Sequence, residues 1–181
     1  MSFLSTKLFV AGALLLTLNA CSSDNKQTIP ENRVTLNDFE ALDGWMPAVP
    51  LTAERAHSGR YSIKVDKDAE YSLGYSNPLG KVSPTKIKKL TINAWALRTG
   101  SEAKAVIVVE ITNPANPTAK PYWQSMDMYQ QVKTFNTWTK VTKDFELPAT
   151  ILPTSQLRVY MWRAGAPGQA TFLDDFEITK S

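Results

Sequence analysis

The sequence predicts an all-β domain in which two antiparallel sheets pack face to face. From Val34 onward, short runs rich in β-branched and aromatic residues alternate with turns rich in Pro, Gly and Asn. No sustained apolar repeat at helical spacing interrupts this pattern. A chain of 181 residues has room for one core, and many short strands enclose one core most simply as a β-sandwich.

Ten strands are predicted, and turn residues such as Ser58-Gly59 and Asn77-Pro78 separate them. Within a strand, successive side chains point to opposite faces, so Leu157, Val159 and Met161 are expected to face the core. The predicted strands are, in chain order, residues 35–40, 52–56, 61–66, 71–76, 89–97, 104–112, 122–129, 137–145, 157–162 and 170–179.

The first twenty residues have the pattern of a secretory signal peptide. Lys7 supplies the positive charge, residues 8–18 are apolar, and Ala20 is the small residue before the cleavage point. This run is too short to cross a bilayer. Residues 18–21, Leu-Asn-Ala-Cys, resemble the lipobox of bacterial lipoproteins, although Asn19 departs from the usual residue type. The resemblance implies that Cys21, the only cysteine, is acylated; the alternative is an ordinary cleaved signal with an uninvolved cysteine.

The residue after Cys21 is Ser22 rather than an aspartate, which resembles the outer-membrane sorting signal of Gram-negative lipoproteins. The resemblance therefore implies a lipid-anchored protein of the outer membrane. Each buried methylene of an acyl chain contributes about 0.8 kcal/mol, so two or three chains hold a protein at a membrane. Polar residues 21–32 are predicted to form a flexible tether, and residues 33–181 a single domain.

Charge gives little guidance to partners, because 20 Lys and Arg residues oppose 17 Asp and Glu residues. The basic residues are dispersed except for Lys81, Lys86, Lys88 and Lys89. Such a segment is typical either of a nucleic-acid patch or, more commonly, of a solvated loop between strands. No nucleic-acid partner is therefore predicted. With no cysteine after Cys21, the domain must depend on its core or on a metal rather than on disulfides.

Six motifs follow one another along the predicted strands. They are Asn-Asp-Phe-Glu at 37–40, Ala-His-Ser-Gly-Arg-Tyr-Ser-Ile-Lys-Val at 56–65, Ile-Asn-Ala-Trp-Ala at 92–96, Thr-Trp-Thr-Lys-Val at 137–141, Leu-Arg-Val-Tyr-Met-Trp at 157–162 and Phe-Leu-Asp-Asp-Phe-Glu-Ile at 172–178. In this order they resemble the galactose-binding-like jelly roll of carbohydrate-binding modules of families four, nine and twenty-two. The resemblance covers residues 37–180 and implies a jelly-roll fold and a carbohydrate ligand.

A carbohydrate site needs flat aromatic faces that stack on sugar rings and polar side chains that bond to hydroxyl groups. The strand faces opposite the predicted core supply both kinds of residue. Trp45 and Trp138, by contrast, are expected to pack in or around the core, as the resemblance implies. The predicted stacking residues are Trp95, Trp123, Tyr129, Tyr160 and Trp162, and the predicted hydrogen-bonding residues are Asn93, Gln124, Asp127 and Arg158.

The same resemblance implies a structural Ca²⁺ that joins the first and last strands near the Ser58-Gly59 turn. Glu40 and Asp174 match the acidic positions of that site, with Asp175 and nearby carbonyl groups as further ligands. Calcium requires six to eight oxygen ligands, so several backbone carbonyls would have to converge there. The alternative is that these carboxylates cap strand ends and bind no ion.

Three functions remain open at this point. The first is a noncatalytic, lipid-anchored protein that binds a polysaccharide. The second is a structural or adhesion component of the envelope that uses the same face to bind a protein. The third is a small glycan-cleaving enzyme, since paired carboxylates can act in glycoside hydrolysis. A Ser-His-Asp triad is not expected, because the only histidine, His57, lies beside Ser58 in a turn that the resemblance assigns to packing and ion binding.

Overall fold

A computed structural model describes residues 30–42 and 51–181. The predicted signal peptide, Cys21, most of the tether and Trp45 lie outside the described residues. The described chain is an antiparallel β-sandwich of ten strands in two sheets, which confirms the predicted fold class. No helix in this part of the chain is long and apolar enough to cross a membrane.

The larger sheet has six strands, and its organising element is the last strand of the chain, β10. Strand β10 pairs with β5 along one side and with β3 and β1 along the other. Strand β2 extends the sheet beyond β3, and β8 lies on the far side of β5. The six strands are β1 (Arg33–Asn37), β2 (Leu51–Thr52), β3 (Ser62–Val65), β5 (Lys89–Arg98), β8 (Thr139–Glu146) and β10 (Thr171–Lys180).

The smaller sheet has four strands in the order β4, β9, β6, β7, and all neighbours are antiparallel. Its two edges are therefore β4 and β7. A register shift interrupts the pairing of β4 with β9 between Tyr71 and Gly74. The four strands are β4 (Tyr71–Pro78), β6 (Ala105–Thr112), β7 (Tyr122–Asp127) and β9 (Gln156–Arg163).

The core lies between the sheets and is built by alternate residues of each strand. Ile92 of β5 and Leu157 of β9 are fully buried in the same apolar cluster. Strand β6 faces this cluster with Ile107, Val109 and Ile111. Burial of one such aliphatic side chain contributes about 1.5 to 3 kcal/mol, which explains why the alternating pattern determines strand orientation. The predicted inward set of β9 is confirmed, and the inward set of β5 is Leu90, Ile92, Ala94 and Ala96.

All ten predicted strands differ from the structure at one or both ends, most of them by one or two residues. The predicted strand at 35–40 is Arg33–Asn37, and Glu40 begins a short 3-10 helix (Glu40–Leu42). The predicted strand at 122–129 ends at Asp127, and the short α-helix α2 (Met128–Gln131) follows. The predicted strand at 52–56 is only Leu51–Thr52. A second short α-helix, α1 (Leu79–Val82), follows β4 where the sequence indicates a turn. Each α-helix has four residues, too few for a repeat at helical spacing to be visible in the sequence.

Candidate functional site

The outward face of the four-stranded sheet carries most of the predicted ligand-binding residues. Arg158, Tyr160 and Trp162 alternate with the core residues of β9 and therefore point outward. On the edge strand β7, Trp123 and Asp127 point to the same side, because Met126 faces the core. We call this surface the four-stranded face.

The register of the strands places these side chains in rows across the sheet. One row joins Arg158, Glu110 and Trp123, and the next joins Tyr160, Val108 and Ser125. A third row joins Trp162, Val106 and Asp127. Although Val106 and Val108 point outward, they are buried, so larger side chains on the flanking strands must cover the middle of the sheet.

Aromatic rings are exposed at both edges of the four-stranded face. Trp123 of β7 is 43% exposed and Tyr71 of β4 is 53% exposed, which is unusual for side chains of this size. The Tyr71 ring packs edge-on against Tyr160, with 5.9 Å between ring centroids. These rings offer flat apolar surface to a ligand lying across the strands.

Charged side chains stand beside the rings. Arg158 is exposed and lies 3.9 Å from Glu110, at the limit of an ion pair, so both groups keep free hydrogen-bonding positions. Partial burial, assisted by the charge of Glu110, raises the pKa of the Tyr160 hydroxyl, which stays a neutral donor at physiological pH. The indole nitrogen of Trp162 donates to Glu70 at 3.1 Å, which fixes its ring.

A shallow depression of about 300 Å³ lies between β4 and β9 on this face. Gly74 forms part of its lining. A Cβ atom at Gly74 would lie 2.8 Å from the Val159 carbonyl oxygen and 2.9 Å from the Tyr160 Cβ atom, so no larger residue fits without backbone movement. The lining also includes Tyr71, Ser76, Glu110 and Arg158.

Trp95 and Asn93, although predicted as ligand-binding residues, lie on the other sheet. Both belong to β5, where Ala94 and Ala96 face the core, so they point outward from the six-stranded sheet. The structure therefore does not bring Trp95 and Trp162 together, because they face opposite sides of the sandwich. Asn93 donates to Glu177 at 3.3 Å. Sequence alternation identifies outward residues but does not indicate to which sheet a strand belongs.

Trp95 is also covered. The His57 imidazole stacks on it with ring centroids 3.9 Å apart and an interplanar angle of 13°. Trp138 packs edge-on against the same imidazole at 5.9 Å. The prediction for Trp138 needs a correction, since it is partly exposed on this outer cluster and is not part of the buried core.

Two other predicted residues, Tyr129 and Gln124, do not lie on the four-stranded face. Tyr129 lies in α2, beyond the end of the strand, and is 37% exposed. Its carbonyl oxygen accepts a hydrogen bond from the buried Arg98 guanidinium at 3.3 Å. Gln124 is exposed on β7, but it is two residues from the core residue Met126 and so lies on the opposite side of the strand from Trp123. Asp127 remains on the four-stranded face.

The three predicted metal ligands converge on the turn at residues 57–61. Glu40 Oε1 accepts from the backbone N–H groups of Arg60 and Tyr61, both at 2.7 Å. Asp174 is fully buried, and its carboxylate accepts from the N–H groups of His57 at 2.7 Å and Ser58 at 3.1 Å. Burial is the main cause of the raised pKa of Asp174, and the backbone hydrogen bonds oppose it.

Glu40 and Asp174 hold different residues of this turn, and both carboxylates already accept hydrogen bonds from its backbone N–H groups, as expected if they cap the chain. Among the residues that the structure describes, no group of three or more His, Cys, Asp or Glu side chains could hold a metal. Calcium would therefore need backbone carbonyl oxygens to complete its six to eight ligands. Calcium at Glu40, Asp174 and Asp175 stays a prediction.

The His57 cluster lacks the geometry of a hydrolase triad. Ser58 Oγ donates to Asp175 Oδ1 at 2.6 Å, and His57 Nδ1 lies 2.5 Å from Asp175 Oδ2. Both side chains are thus bonded to the acid, whereas a triad needs the serine bonded to the histidine. The carboxylate of Asp175 instead ties both residues of the turn to β10.

The sequence matches a family model described as a carbohydrate binding domain over residues 31–168, and the chain belongs to that family. No curated protein matches it. Among solved structures, the tandem CBM22-1-CBM22-2 domain of Xyn10C from Paenibacillus barcinonensis is similar, with TM-score 0.55 and 19% identity over 82% of this chain and 50% of that chain.

Two modules of Xyn10B from Clostridium thermocellum are also similar. The CBM22-1-GH10 structure complexed with xylohexaose has TM-score 0.53 and 13% identity, over 83% of this chain and 29% of that one. The C-terminal family 22 carbohydrate binding module has TM-score 0.52 and 11% identity, over 84% of this chain and 96% of that one. At these identities the likeness concerns the fold, and it confirms the β-sandwich.

Three residues of the four-stranded face were not predicted from the sequence, namely Tyr71, Gly74 and Glu110. Alternation could have found Glu110, because it is the one charged residue in the apolar strand β6. Tyr71 could not be found this way, since the register shift after it breaks the alternation of β4.

Proposed function

We propose that this chain is a noncatalytic protein of the cell envelope that binds a polysaccharide on its four-stranded face. An acylated Cys21 would hold it at the outer membrane. The observation that carries the proposal is the pair of exposed rings, Trp123 and Tyr71, at the two edges of a face whose centre bears Tyr160 and the Arg158–Glu110 pair.

This arrangement suits a sugar chain for physical reasons. The C–H-rich side of a pyranose packs on a flat aromatic ring. When a sugar stacks on an exposed ring, its contacts replace most of the water contacts that the ring loses. Arg158 offers donors and Glu110 offers acceptors to hydroxyl groups at the same place. Opposite charges on neighbouring residues keep this part of the face balanced, which favours an uncharged polysaccharide over a strongly anionic one.

Family membership supports the same ligand class, and one neighbour of the same fold was observed with xylohexaose. Support for a noncatalytic role comes from the side-chain chemistry. His57, the single histidine of the chain, is bonded to Asp175 on the other sheet, and Glu110 stands beside the positively charged Arg158. Glycoside hydrolysis needs two carboxyl groups roughly 5 to 10 Å apart. Asp127 lies opposite Val106, four positions from Glu110 and therefore about 13 Å along the strand.

The test is binding of the purified protein to a panel of insoluble and soluble polysaccharides. We expect the Trp123→Ala variant to lose at least about tenfold in affinity, as central aromatic residues of interfaces commonly do. Phe135→Ala is the matched control, because Phe135 is similarly exposed, at 46% against 43%, but lies on a loop that pairs with β5 of the other sheet. Its affinity should stay unchanged.

The proposal would be contradicted if the unmodified protein bound none of the polysaccharides, or if both variants lost the same amount of affinity. A native complex in which a protein partner covers Trp123 would favour the structural or adhesion function instead. Release of soluble sugars from any polysaccharide during the assay would show a glycan-cleaving enzyme.

A further inference from the structure

One end of the sandwich combines exposed lysines with an apolar groove. The end is formed by α1 and the loop after it, the loop at 147–155, the loop at 113–121 and both termini of the described domain. Backbone hydrogen bonds from Gly80 to Pro153 and from Lys88 to Ser181 hold these segments together. Its exposed lysines are Lys81, Lys86, Lys88 and Lys120, and we call the surface the basic end.

These lysines are not neutralised within the domain. Among the described residues, none of the four lies within ion-pair distance of an acid, whereas Lys89 next to them is paired with Asp144 at 2.9 Å. Lys86 instead donates to the Ala149 carbonyl oxygen. The acidic groups at this end are Glu31, Glu146 and the terminal carboxylate of Ser181, so positive charge prevails.

An apolar groove of about 330 Å³ lies among the lysines. Leu152, at its rim, is 50% exposed, and Pro84 and Pro153 are exposed beside it. The floor is formed by Leu79, Ile87 and Ile151. An exposed leucine surrounded by lysines matches a surface that enters the boundary between lipid headgroups and acyl chains.

The chain enters the domain at this same end. Lys180 of β10 donates its backbone N–H to the Asn32 carbonyl oxygen at 2.8 Å, so residues 30–32 lie beside the C terminus and the loop after α1. Eight residues lie between Cys21 and Pro30, so Pro30 is nine steps along the chain from Cys21. A fully extended chain of nine steps spans at most about 30 Å, so an anchor at Cys21 would keep the basic end close to the bilayer.

We propose that the basic end docks on a membrane surface rich in anionic lipid headgroups. Each lysine near such a surface contributes about a fivefold gain in binding, and a second contact supplements an acyl anchor. The orientation that results directs the opposite end of the sandwich away from the bilayer and leaves the four-stranded face accessible from the side. This surface function depends neither on glycan binding nor on acylation.

The test uses the full chain carrying Cys21→Ser, mixed with vesicles of phosphatidylglycerol and phosphatidylcholine or of phosphatidylcholine alone. We expect binding to the anionic vesicles that weakens as salt is raised. Adding Lys81→Glu and Lys88→Glu should reduce it by about tenfold or more. These side chains make no hydrogen bond or ion pair with other described residues, so the fold should be retained.

The matched control replaces Lys133 and Lys140 by Glu, because both are exposed and lie away from the basic end. This control has the same change in net charge as the Lys81→Glu, Lys88→Glu variant, and both keep residues 1–20. It should therefore bind vesicles as the Cys21→Ser parent does. Equal losses in both double variants, or no preference for anionic vesicles, would overturn the proposal. DNA binding of equal strength that is lost with the same lysines, or self-association abolished by Leu152→Ser, would overturn it as well.

Discussion

At the scale of single residues, Gly59 is required by the conformation of the turn at residues 57–61, which lies between β2 and β3. Its φ of +56° lies in the left-handed region, and a Cβ atom there would lie 2.5 Å from the Glu40 carboxyl carbon. That carboxyl group is the acceptor for two backbone N–H groups of the same turn. An alanine would therefore both strain the backbone and displace Glu40.

We expect Gly59→Ala to lower the free energy of unfolding by about 2 to 4 kcal/mol, from left-handed strain of 1 to 2 kcal/mol and the lost capping bonds. Urea unfolding followed by tryptophan fluorescence measures it. Gly168→Ala is the control, because its Cβ atom would have no neighbour closer than 3.8 Å. A Gly59→Ala variant as stable as this control would show that the turn relaxes freely.

At the scale of elements, β7 depends on side chains from the other sheet. It pairs only with β6, so its outer edge is free. Lys143 of β8 donates to the Ser125 carbonyl oxygen at 2.6 Å, and the Tyr122 hydroxyl donates to the Glu146 carbonyl oxygen at 3.0 Å. These bonds close the side of the sandwich next to Trp123 and protect an exposed strand edge from pairing with other chains.

We expect Lys143→Met to speed hydrogen exchange of the β7 amides that pair with β6 by about tenfold, since a hydrogen bond to a charged group is lost. Amides of β5 should keep their protection. Lys140→Met serves as the control, because Lys140 lies on the same strand and is exposed. If exchange in β7 is the same in both variants, Lys143 does not hold the edge strand.

The strands themselves were predictable, because β5 and β9 bury every second side chain and β6 contains a continuous run of β-branched residues. The pairing of strands was not. Trp95 and Trp162 both alternate with core residues of their strands and therefore both point outward. However, β5 and β9 belong to different sheets. The sheet to which a strand belongs depends on long-range pairing that no local pattern encodes. The convergence of Glu40 and Asp174 followed from the family resemblance, whereas the stacking of His57 on Trp95 had no sequence signal.

At the scale of the whole molecule, a calcium ion at the 57–61 turn would bind the native state and not the unfolded state, so it would stabilise the fold. A free Ca²⁺ concentration a hundred times the dissociation constant adds about 2.7 kcal/mol to the free energy of unfolding. For a domain of this size, that gain raises the melting temperature by roughly 5 to 10 °C. We expect calorimetry to show this rise when Ca²⁺ is added after chelator treatment, and to show none in Glu40→Gln. If neither chelator nor Ca²⁺ changes the melting temperature of the unmodified protein, the predicted calcium site is wrong.

Strand β10 has a consequence for how fast the domain can fold. It is the common partner of β1, β3 and β5, and its pairs join positions far apart in the chain, such as Arg33 with Thr179 and Leu97 with Phe172. Until residues 171–180 dock, the larger sheet lacks its centre and cannot close on the smaller one. Because contacts between distant positions form slowly, we expect refolding to take milliseconds to seconds rather than microseconds.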